Sequence, residues 1–157
     1  MKLLVIAVGQ RMPAWVDAGF EEYARRMPRE ARLKLIEVKP EPRSAQPRDV
    51  ERLLAGEGKR IAAAVPGNAY TIALDEHGRT CSTLELAERM AAWRMEGRDI
   101  AFVIGGPDGL SGSIKRAAGL LWSLTPLTLP HGLARIIVAE QLYRAYSILR
   151  NHPYHRE

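Results

Sequence analysis

The sequence contains a single cysteine, Cys81, among its 157 residues. One thiol excludes an internal disulfide framework and offers no cysteine-based metal motif, and it suits a reducing cytoplasm. The four histidines lack the spacing of a zinc site, so no metal is expected. No apolar run approaches the roughly 18 residues that a membrane-spanning helix needs. These absences favour a metal-free cytoplasmic protein with no membrane partner.

Several catalytic signatures are missing as well. The glycine-rich turn at residues 105–109 does not have the G-x-G-x-x-G spacing of dinucleotide-binding proteins, and no Gly-Lys-Ser/Thr follows it as in a P-loop. No Ser-His-Asp order stands out, and paired catalytic carboxylates are not evident. The chemistry must therefore be sought in strand ends and loops that carry none of these signatures.

The charge balance of the chain is basic. Lys and Arg number 23 against 18 Asp and Glu, which gives a net charge of +5, and arginine is the commoner cation. Such a surface favours phosphate-rich partners, because arginine makes bidentate contacts to phosphate. An ordinary solvated surface with a basic bias explains the same numbers, and the charge alone does not decide between the two.

Apolar periodicity predicts an alternation of strands and helices. Strands are predicted at 2–9, 32–38, 70–74 and 99–104, and helices at 13–27, 49–65 and 83–96, with a basic, proline-rich loop at 39–48. A turn is predicted at 75–78, after the third strand. This order predicts one α/β domain, residues 1–157, with a mostly parallel sheet and helices on both faces. The three tryptophans are expected in its core.

The last third is predicted to contain a short helix at 111–118, a short strand at 120–124 and a long helix at 132–150. The long helix is apolar around most of its circumference, apart from a stripe of Glu140, Arg144 and Ser147, in which Glu140 and Arg144 are spaced to form an ion pair. A helix of this kind is buried on several sides. In so small a domain, a second subunit is one source of that cover.

Three segments follow predicted strands and are candidate ligand sites. Leu74-Asp75 ends one strand, and the turn Gly105-Gly106-Pro107-Asp108-Gly109 ends another. The apolar loop 124–129 precedes the long helix. In open α/β sheets, ligands bind at the carboxyl edge, where glycines let a ligand reach backbone amides. Tight turns and buried connections explain the same residues without a ligand, and both interpretations stay open from the pattern alone.

The tail at residues 151–157 is the fourth candidate. His152, Tyr154 and His155 are able to transfer protons or stack on a base, and Arg150 and Arg156 are able to hold phosphate. The alternative is a frayed terminus, as in many proteins.

The chain resembles the RlmH family, the pseudouridine N3-methyltransferases of large-subunit ribosomal RNA, within the knotted SPOUT class of methyltransferases. The resemblance covers essentially the whole chain. It rests on ordered matches at Val8-Gly9, Met12-Pro13, Trp15, Gly19-Phe20, Tyr23, Leu74-Asp75, Gly78, Trp93, Gly97-Arg98, residues 102–110, Trp122-Ser123-Leu124, residues 127–131, residues 139–145 and residues 151–156.

The resemblance implies S-adenosylmethionine as methyl donor, no metal, and a homodimer whose C-terminal helices pack together. It also implies a trefoil knot in which the chain from about Gly105 onward threads a loop. Carried over position by position, the cofactor contacts fall on Leu74, Gly105, Leu124, Thr125, Pro126, Leu127, Thr128 and Leu129. These positions belong to the three segments already singled out.

The implied reaction is methylation of N3 of pseudouridine 1915 in 23S rRNA on the assembled 70S ribosome. The N3 proton must leave before or during attack on the sulfonium methyl group, so a base and a precise alignment of the reacting atoms are needed. Tyr154 and His152, reaching over the pocket and belonging to either subunit, are the hypothesised proton-handling residues. Arg144 is hypothesised to stabilise the anionic base or to hold phosphate.

The chain departs from the family pattern in two places. Ala45-Gln46-Pro47 replaces residues that are expected to be polar, and Asp108 stands where glutamate is common. Two alternatives remain open: a non-catalytic ribosome-binding factor of the same fold, and a SPOUT enzyme that methylates transfer RNA.

Overall fold

The computed structural model describes residues 1–44 and 49–156. Within them the chain forms β1 (Leu3–Val8), α1 (Ala14–Ala24), β2 (Leu33–Val38), α2 (Val50–Ala64), β3 (Tyr70–Arg79), α3 (Thr83–Glu96), β4 (Ile100–Ile104), α4 (Gly112–Ala117), β5 (Leu120–Trp122) and α5 (His131–Leu149). Short 3-10 turns occur at Arg29–Ala31 and Pro153–His155. The predicted alternation is confirmed, with element ends that differ by a few residues. The departure at Ala45-Gln46-Pro47 lies outside the described residues.

The strands form one parallel sheet in the order β2-β1-β4-β3-β5. Along β1, alternate side chains face two different cores, one beneath α1, α3 and α5 and the other beneath α2 and α4. Leu3 belongs to the first core and Leu4 to the second, and every residue of the strand is buried. This is why residues 3–8 read as an unbroken apolar run, as expected for a strand covered by helices on both faces.

The predicted end of the third strand is wrong. The sequence predicted a turn at 75–78, but β3 continues to Arg79. Leu74 and Arg79 both lie opposite Trp122 of β5, so the four residues between them form a bulge. A Cβ on Gly78 would lie 2.7 Å from the backbone of Leu121, so the bulge returns tightly to β5. Pairing with β5 extends β3 beyond Leu74. The composition of residues 75–78 is typical of a turn and therefore did not predict this extension.

The helices begin and pack largely as their sequences predict. Ser82 caps α3, and Glu85 accepts a hydrogen bond from the Ser82 amide, which completes a capping box. Trp93 and Trp122 are buried in the core as expected. Trp15 is 58% exposed, contrary to expectation, because it adjoins the buried Val16 on α1 and therefore points about 100° away from the buried face.

Helix α5 lies across the sheet and contacts α1, α3 and β4. Val138, Leu142 and Ala145 are fully buried, whereas Leu133 and Ile137 remain half-buried on another side of the helix. The predicted ion pair between Glu140 and Arg144 is present. No helix in the described part of the chain is both long and apolar enough to cross a bilayer.

Candidate active site

The carboxyl ends of β3, β4 and β5 meet at one edge of the sheet and border two adjoining cavities, here called the strand-end cleft. The smaller, of about 150 Å³, lies between the start of the β3 bulge at Leu74 to Glu76 and the loop 123–129. The larger, of about 540 Å³, reaches the glycine loop 105–109 and the start of α5. Leu74, Asp75, Glu76, Leu129 and Ala134 border both cavities. Because parallel strands all end at this edge, residues distant in sequence are brought together here.

The glycine loop is a tight turn with little room for side chains. Gly106 and Gly109 form an antiparallel bridge, and the Gly109 amide donates to the Gly106 carbonyl at 3.1 Å. A Cβ on Gly105 would lie 2.5 Å from the carbonyl of Gly109, and Gly109 itself has φ +82°. The turn therefore requires both glycines, as one interpretation of the sequence held. The same loop forms a wall of the cleft, so the two interpretations are compatible.

The loop 124–129 places apolar side chains along the smaller cavity of the cleft. The Ser123 hydroxyl donates to the Thr125 carbonyl at 3.1 Å, and the Thr125 hydroxyl accepts from the Leu127 amide at 3.1 Å. These bonds fix the loop from within. The Leu127 side chain is nevertheless 72% exposed. An ordered loop that presents leucine at the mouth of a cavity is well suited to contact the flat apolar surface of a ligand.

A charged pair lies on the cleft wall. The Lys115 ammonium of α4 is 2.6 Å from Oδ2 of Asp75, whose side chain is only 7% exposed. The His77 amide donates to the other oxygen of Asp75 at 2.8 Å. Burial raises the pKa of Asp75, but the bonds from Lys115 and the His77 amide outweigh burial, and the pKa lies below its ordinary value. Asp75 is therefore an anion at neutral pH, with Lys115 as its counterion.

The start of α5 closes the cleft beside β1. His131 borders the larger cavity, and burial, with the nearby charge of Arg135, lowers its pKa. Arg135 is fully buried, and its guanidinium donates to Glu37 at 2.8 Å and to the Gly9 carbonyl at 2.9 Å. This guanidinium holds the first turn of α5 against the ends of β1 and β2. The first turn of a helix carries a partial positive charge, so the start of α5 favours negative charge beside it.

The predicted catalytic residues of the tail gather around Glu140. Its Oε1 accepts from Arg144 Nε at 2.8 Å and from the Tyr154 hydroxyl at 3.1 Å. The Arg144 guanidinium also lies 4.9 Å from the centre of the Tyr154 ring. Nδ1 of the exposed His152 accepts from the Tyr154 amide at 3.2 Å. The structure thus joins all three predicted residues, and we call Glu140, Arg144, His152 and Tyr154 the tail cluster.

Tyr154 is held in its neutral form. Burial is the main cause of a pKa well above the ordinary tyrosine value, and the hydrogen bond to the Glu140 carboxylate and the nearby Tyr23 raise it further. A phenol with a raised pKa stays protonated at neutral pH. It can donate a hydrogen bond there, but it is a poor base.

The tail cluster and the strand-end cleft lie apart within one copy of the chain. His131 borders the cleft and Arg144 belongs to the cluster, and Arg144 lies 13 positions after His131 on α5, which corresponds to about 20 Å. Among the described residues that line the cleft, Arg144, His152 and Tyr154 do not occur. The two predicted halves of the site are each assembled, but one copy does not bring them together.

Comparison with known proteins identifies the family of the chain. A family model described as predicted SPOUT methyltransferase matches residues 1–155. The chain belongs to the SPOUT methyltransferase family. It is 55% identical over 156 residues to proteins named ribosomal RNA large subunit methyltransferase H from Burkholderia mallei (strain SAVP1) and Burkholderia pseudomallei (strain K96243). Each match covers 99% of this chain and 99% of the relative.

Solved structures resemble this SPOUT methyltransferase in fold. A probable methylase family protein from Haemophilus influenzae Rd KW20 has a TM-score of 0.58 at 18% identity, covering 99% of this chain and 70% of the other. A probable methyltransferase from Bordetella pertussis Tohama I has a TM-score of 0.55 at 20% identity, covering 91% and 95%. At these identities the likeness concerns the fold alone, and it confirms the predicted class.

The structure gathers most of the predicted cofactor residues of this SPOUT methyltransferase. Leu74, Gly105, Leu124, Thr125, Leu127, Thr128 and Leu129 all line the strand-end cleft. Pro126 is exposed and is not among the lining residues. Sequence reasoning missed Lys115 and His131, which reach the cleft from α4 and α5, and no local signal in the sequence marks either. It noted Glu140 only as a partner of Arg144.

Proposed function

We propose that this SPOUT methyltransferase transfers a methyl group from S-adenosylmethionine to N3 of a pseudouridine in large-subunit ribosomal RNA. One observation carries the proposal: the predicted cofactor residues, apart from Pro126, converge on a single cleft at the carboxyl edge of the sheet. The names of the curated relatives support ribosomal RNA as the substrate class. By the resemblance, the target is pseudouridine 1915 of 23S rRNA on the assembled ribosome, in the cytoplasm.

The cleft has the features that S-adenosylmethionine requires. Leu74, Leu124 and Leu129 offer apolar walls to an adenine ring, and Gly105 leaves its backbone accessible. Asp75 is an acceptor for hydroxyl or ammonium groups, and Lys115 is a donor for a carboxylate. When bound there, the cofactor supplies a methyl group made electrophilic by its sulfonium charge.

The tail cluster is proposed to act on the RNA base. His152 is the better proton acceptor, because it is exposed and because Tyr154 is held as a neutral phenol. Tyr154 is proposed to donate a hydrogen bond that orients the base. Arg144 pairs with Glu140 and lies against the Tyr154 ring, so its position is fixed, and it is proposed to stabilise the anionic base or to hold phosphate.

Two copies of the chain are proposed to build each active site. The tail cluster is about 20 Å from the cleft along α5, so the tail of one copy is expected to cover the cleft of the other. Leu133 and Ile137 are half-buried on α5, and Leu127 is exposed at the cleft mouth. A homodimer would cover this apolar surface. The trefoil knot implied from about Gly105 onward also stays a prediction.

Labelled methyl transfer to ribosomes that lack the modification tests the proposed function. Assembled ribosomes and separated subunits are each incubated with the protein and labelled S-adenosylmethionine, and the RNA is digested to locate the label. We expect label on a pseudouridine of large-subunit RNA, and only in assembled ribosomes. Label on free transfer RNA instead would support the transfer RNA enzyme. Cofactor binding without label on any RNA would refute the proposed substrate, and no cofactor binding would support the non-catalytic factor.

A further inference from the structure

A separate cavity, of about 740 Å³, lies at the opposite edge of the sheet and is rimmed by four exposed cations. Lys2 precedes β1, Arg29 and Arg32 precede β2, and Lys34 lies on β2. We call Lys2, Arg29, Arg32 and Lys34 the amino-edge basic cluster. It plays no part in the methyl-transfer site described above, which lies at the carboxyl edge.

The register of the sheet forces these cations together. Leu3 pairs with Leu33, so the preceding residues, Lys2 and Arg32, stand side by side at the start of neighbouring strands. Lys34 lies two residues further along β2, on the same face of the sheet. Like charges in such positions repel one another and disfavour the folded chain. A cluster that repels itself is stabilised when an anion binds to it.

The chain supplies few negative charges to this cluster. Asp99 is the only acidic residue that lines the cavity among the described residues, and its Oδ1 accepts from the Lys2 backbone amide at 2.8 Å. Glu30, next to Arg29, pairs instead with Arg150 and accepts from the Tyr146 hydroxyl. Within the described parts of the chain, no carboxylate lies within ion-pair distance of the four cluster side chains. The charge of the cluster is therefore available to a partner.

The cluster faces away from α5. Leu4 and Ile36 lie on the floor of its cavity and belong to the core beneath α2 and α4, whereas α5 packs on the other face of the sheet. A homodimer formed through α5 would leave the cluster open. The length of β1 places it about 20 Å from the strand-end cleft, at about 3.3 Å per residue.

We propose that the amino-edge basic cluster binds the sugar-phosphate backbone of the RNA substrate at a distance from the methylated base. The inference rests on the proposed function, because it takes RNA as the partner. Two arginines and two lysines around a cavity can hold successive phosphates, and arginine does so with paired donors. The apolar floor of Leu4, Ile36 and Pro66 accommodates the sugar faces between phosphates. Contacts of this kind fix the orientation of the protein without reading sequence.

The test compares two charge-reversal variants. R32E/K34E removes two cations from the cluster. R52E/K59E makes the same change in charge at two exposed residues of α2 and serves as the matched control. Affinity for purified ribosomes is measured by co-sedimentation at several salt concentrations, and affinity for S-adenosylmethionine is measured by calorimetry. Thermal unfolding confirms that both variants are folded.

We expect R32E/K34E to bind ribosomes about tenfold or more weakly than wild type, and R52E/K59E to stay within about twofold. The neutral variant R32A/K34A should reduce the magnitude of the slope of log affinity against log salt by about 1 to 2. Each lost phosphate contact reduces that slope by about 0.9, and the variant removes up to two contacts. Cofactor affinity should be unchanged in all three variants.

Equal weakening in R32E/K34E and R52E/K59E would overturn the proposal, because net charge alone would then explain binding. Competition measurements with wild type distinguish RNA from an acidic protein partner. If polyglutamate displaces wild type from ribosomes and an RNA hairpin does not, the proposal is overturned in favour of an acidic protein partner. Binding is measured separately from methyl transfer. If wild type binds ribosomes through this cluster but labels no RNA, the proposed function fails and the docking surface stands.

Discussion

Arg43 donates a hydrogen bond from Nε to Oδ2 of Asp108 at 2.9 Å, across 65 positions of sequence. The same guanidinium donates to Glu57 of α2 at 2.7 Å, and Glu57 is almost fully buried. Arg43 therefore ties the segment before α2 to the glycine loop and also neutralises a buried carboxylate. The sequence predicted only a basic loop at 39–48, and the structure shows that Arg43 is committed to internal ion pairs.

Replacing Arg43 by alanine should leave the Glu57 carboxylate buried without a cation. We expect the free energy of unfolding to fall by about 3–5 kcal/mol, as for other broken buried pairs. Combining Arg43→Met with Glu57→Gln should recover most of this loss, because no buried charge remains. Urea denaturation of the single and double variants measures both effects.

Arg60→Ala is the matched control for that experiment. Arg60 pairs with Glu41 in a partly exposed position, so its loss should change the free energy of unfolding by less than about 1 kcal/mol. If Arg43→Ala is no more destabilised than Arg60→Ala, the buried Glu57 carboxylate does not require the Arg43 guanidinium for the stability of the fold.

Gly105→Ala should impair cofactor binding through the shape of the glycine loop. The new Cβ would lie 2.5 Å from the Gly109 carbonyl, so the turn must open and move the cleft wall. We expect at least a tenfold loss of affinity for S-adenosylmethionine in calorimetry, equivalent to about 1.4 kcal/mol. Gly67→Ala is the control, because a Cβ there meets nothing within 4 Å. Unchanged affinity in Gly105→Ala would show that the loop does not shape the cofactor site.

Lys115→Met should change how stability depends on pH. In wild type, Asp75 has a pKa below its ordinary value, so its contribution is present above about pH 4 and is lost as pH falls through the lowered pKa. Without Lys115, burial opposes the charged form of Asp75. The difference in the free energy of unfolding between wild type and Lys115→Met should therefore be small near pH 2–3 and largest above about pH 5.

Urea denaturation over that pH range measures the difference. Lys59→Met is the control, because Lys59 is an exposed lysine of α2, and its difference from wild type should not vary with pH. A Lys115→Met difference that is equally flat would mean that Asp75 does not rely on the ammonium group.

Two inactive variants should restore activity when they share a dimer. Gly105→Ala disables the cleft, and His152→Ala with Tyr154→Phe disables the tail. If each site combines the cleft of one copy with the tail of the other, random co-expression should restore about a quarter of the wild-type sites. Methyl transfer to ribosomes measures the recovery, and differently tagged copies show that mixed dimers form. Mixed dimers without recovery would mean that cleft and tail act within one copy.

Local composition was sufficient for most of the secondary structure. The apolar run at 2–9 predicted the first strand, and the apolar pattern at 83–96 predicted α3, because these signals depend on neighbouring residues. The bulge after Leu74 and the exposure of Trp15 could not be predicted in this way. The first depends on pairing with β5, and the second depends on which side of α1 faces the sheet.

By itself the sequence determined the class of fold, the family resemblance and the residues expected to bind the cofactor. Each of these depends on the identity and order of residues along the chain. Only the tertiary structure decided that Lys115 and His131 reach the cleft, that Glu140 binds Tyr154, and that cleft and tail lie apart in one copy. The physical reason is that parallel strands and long helices bring distant residues together or separate near ones, and sequence spacing carries no record of that distance.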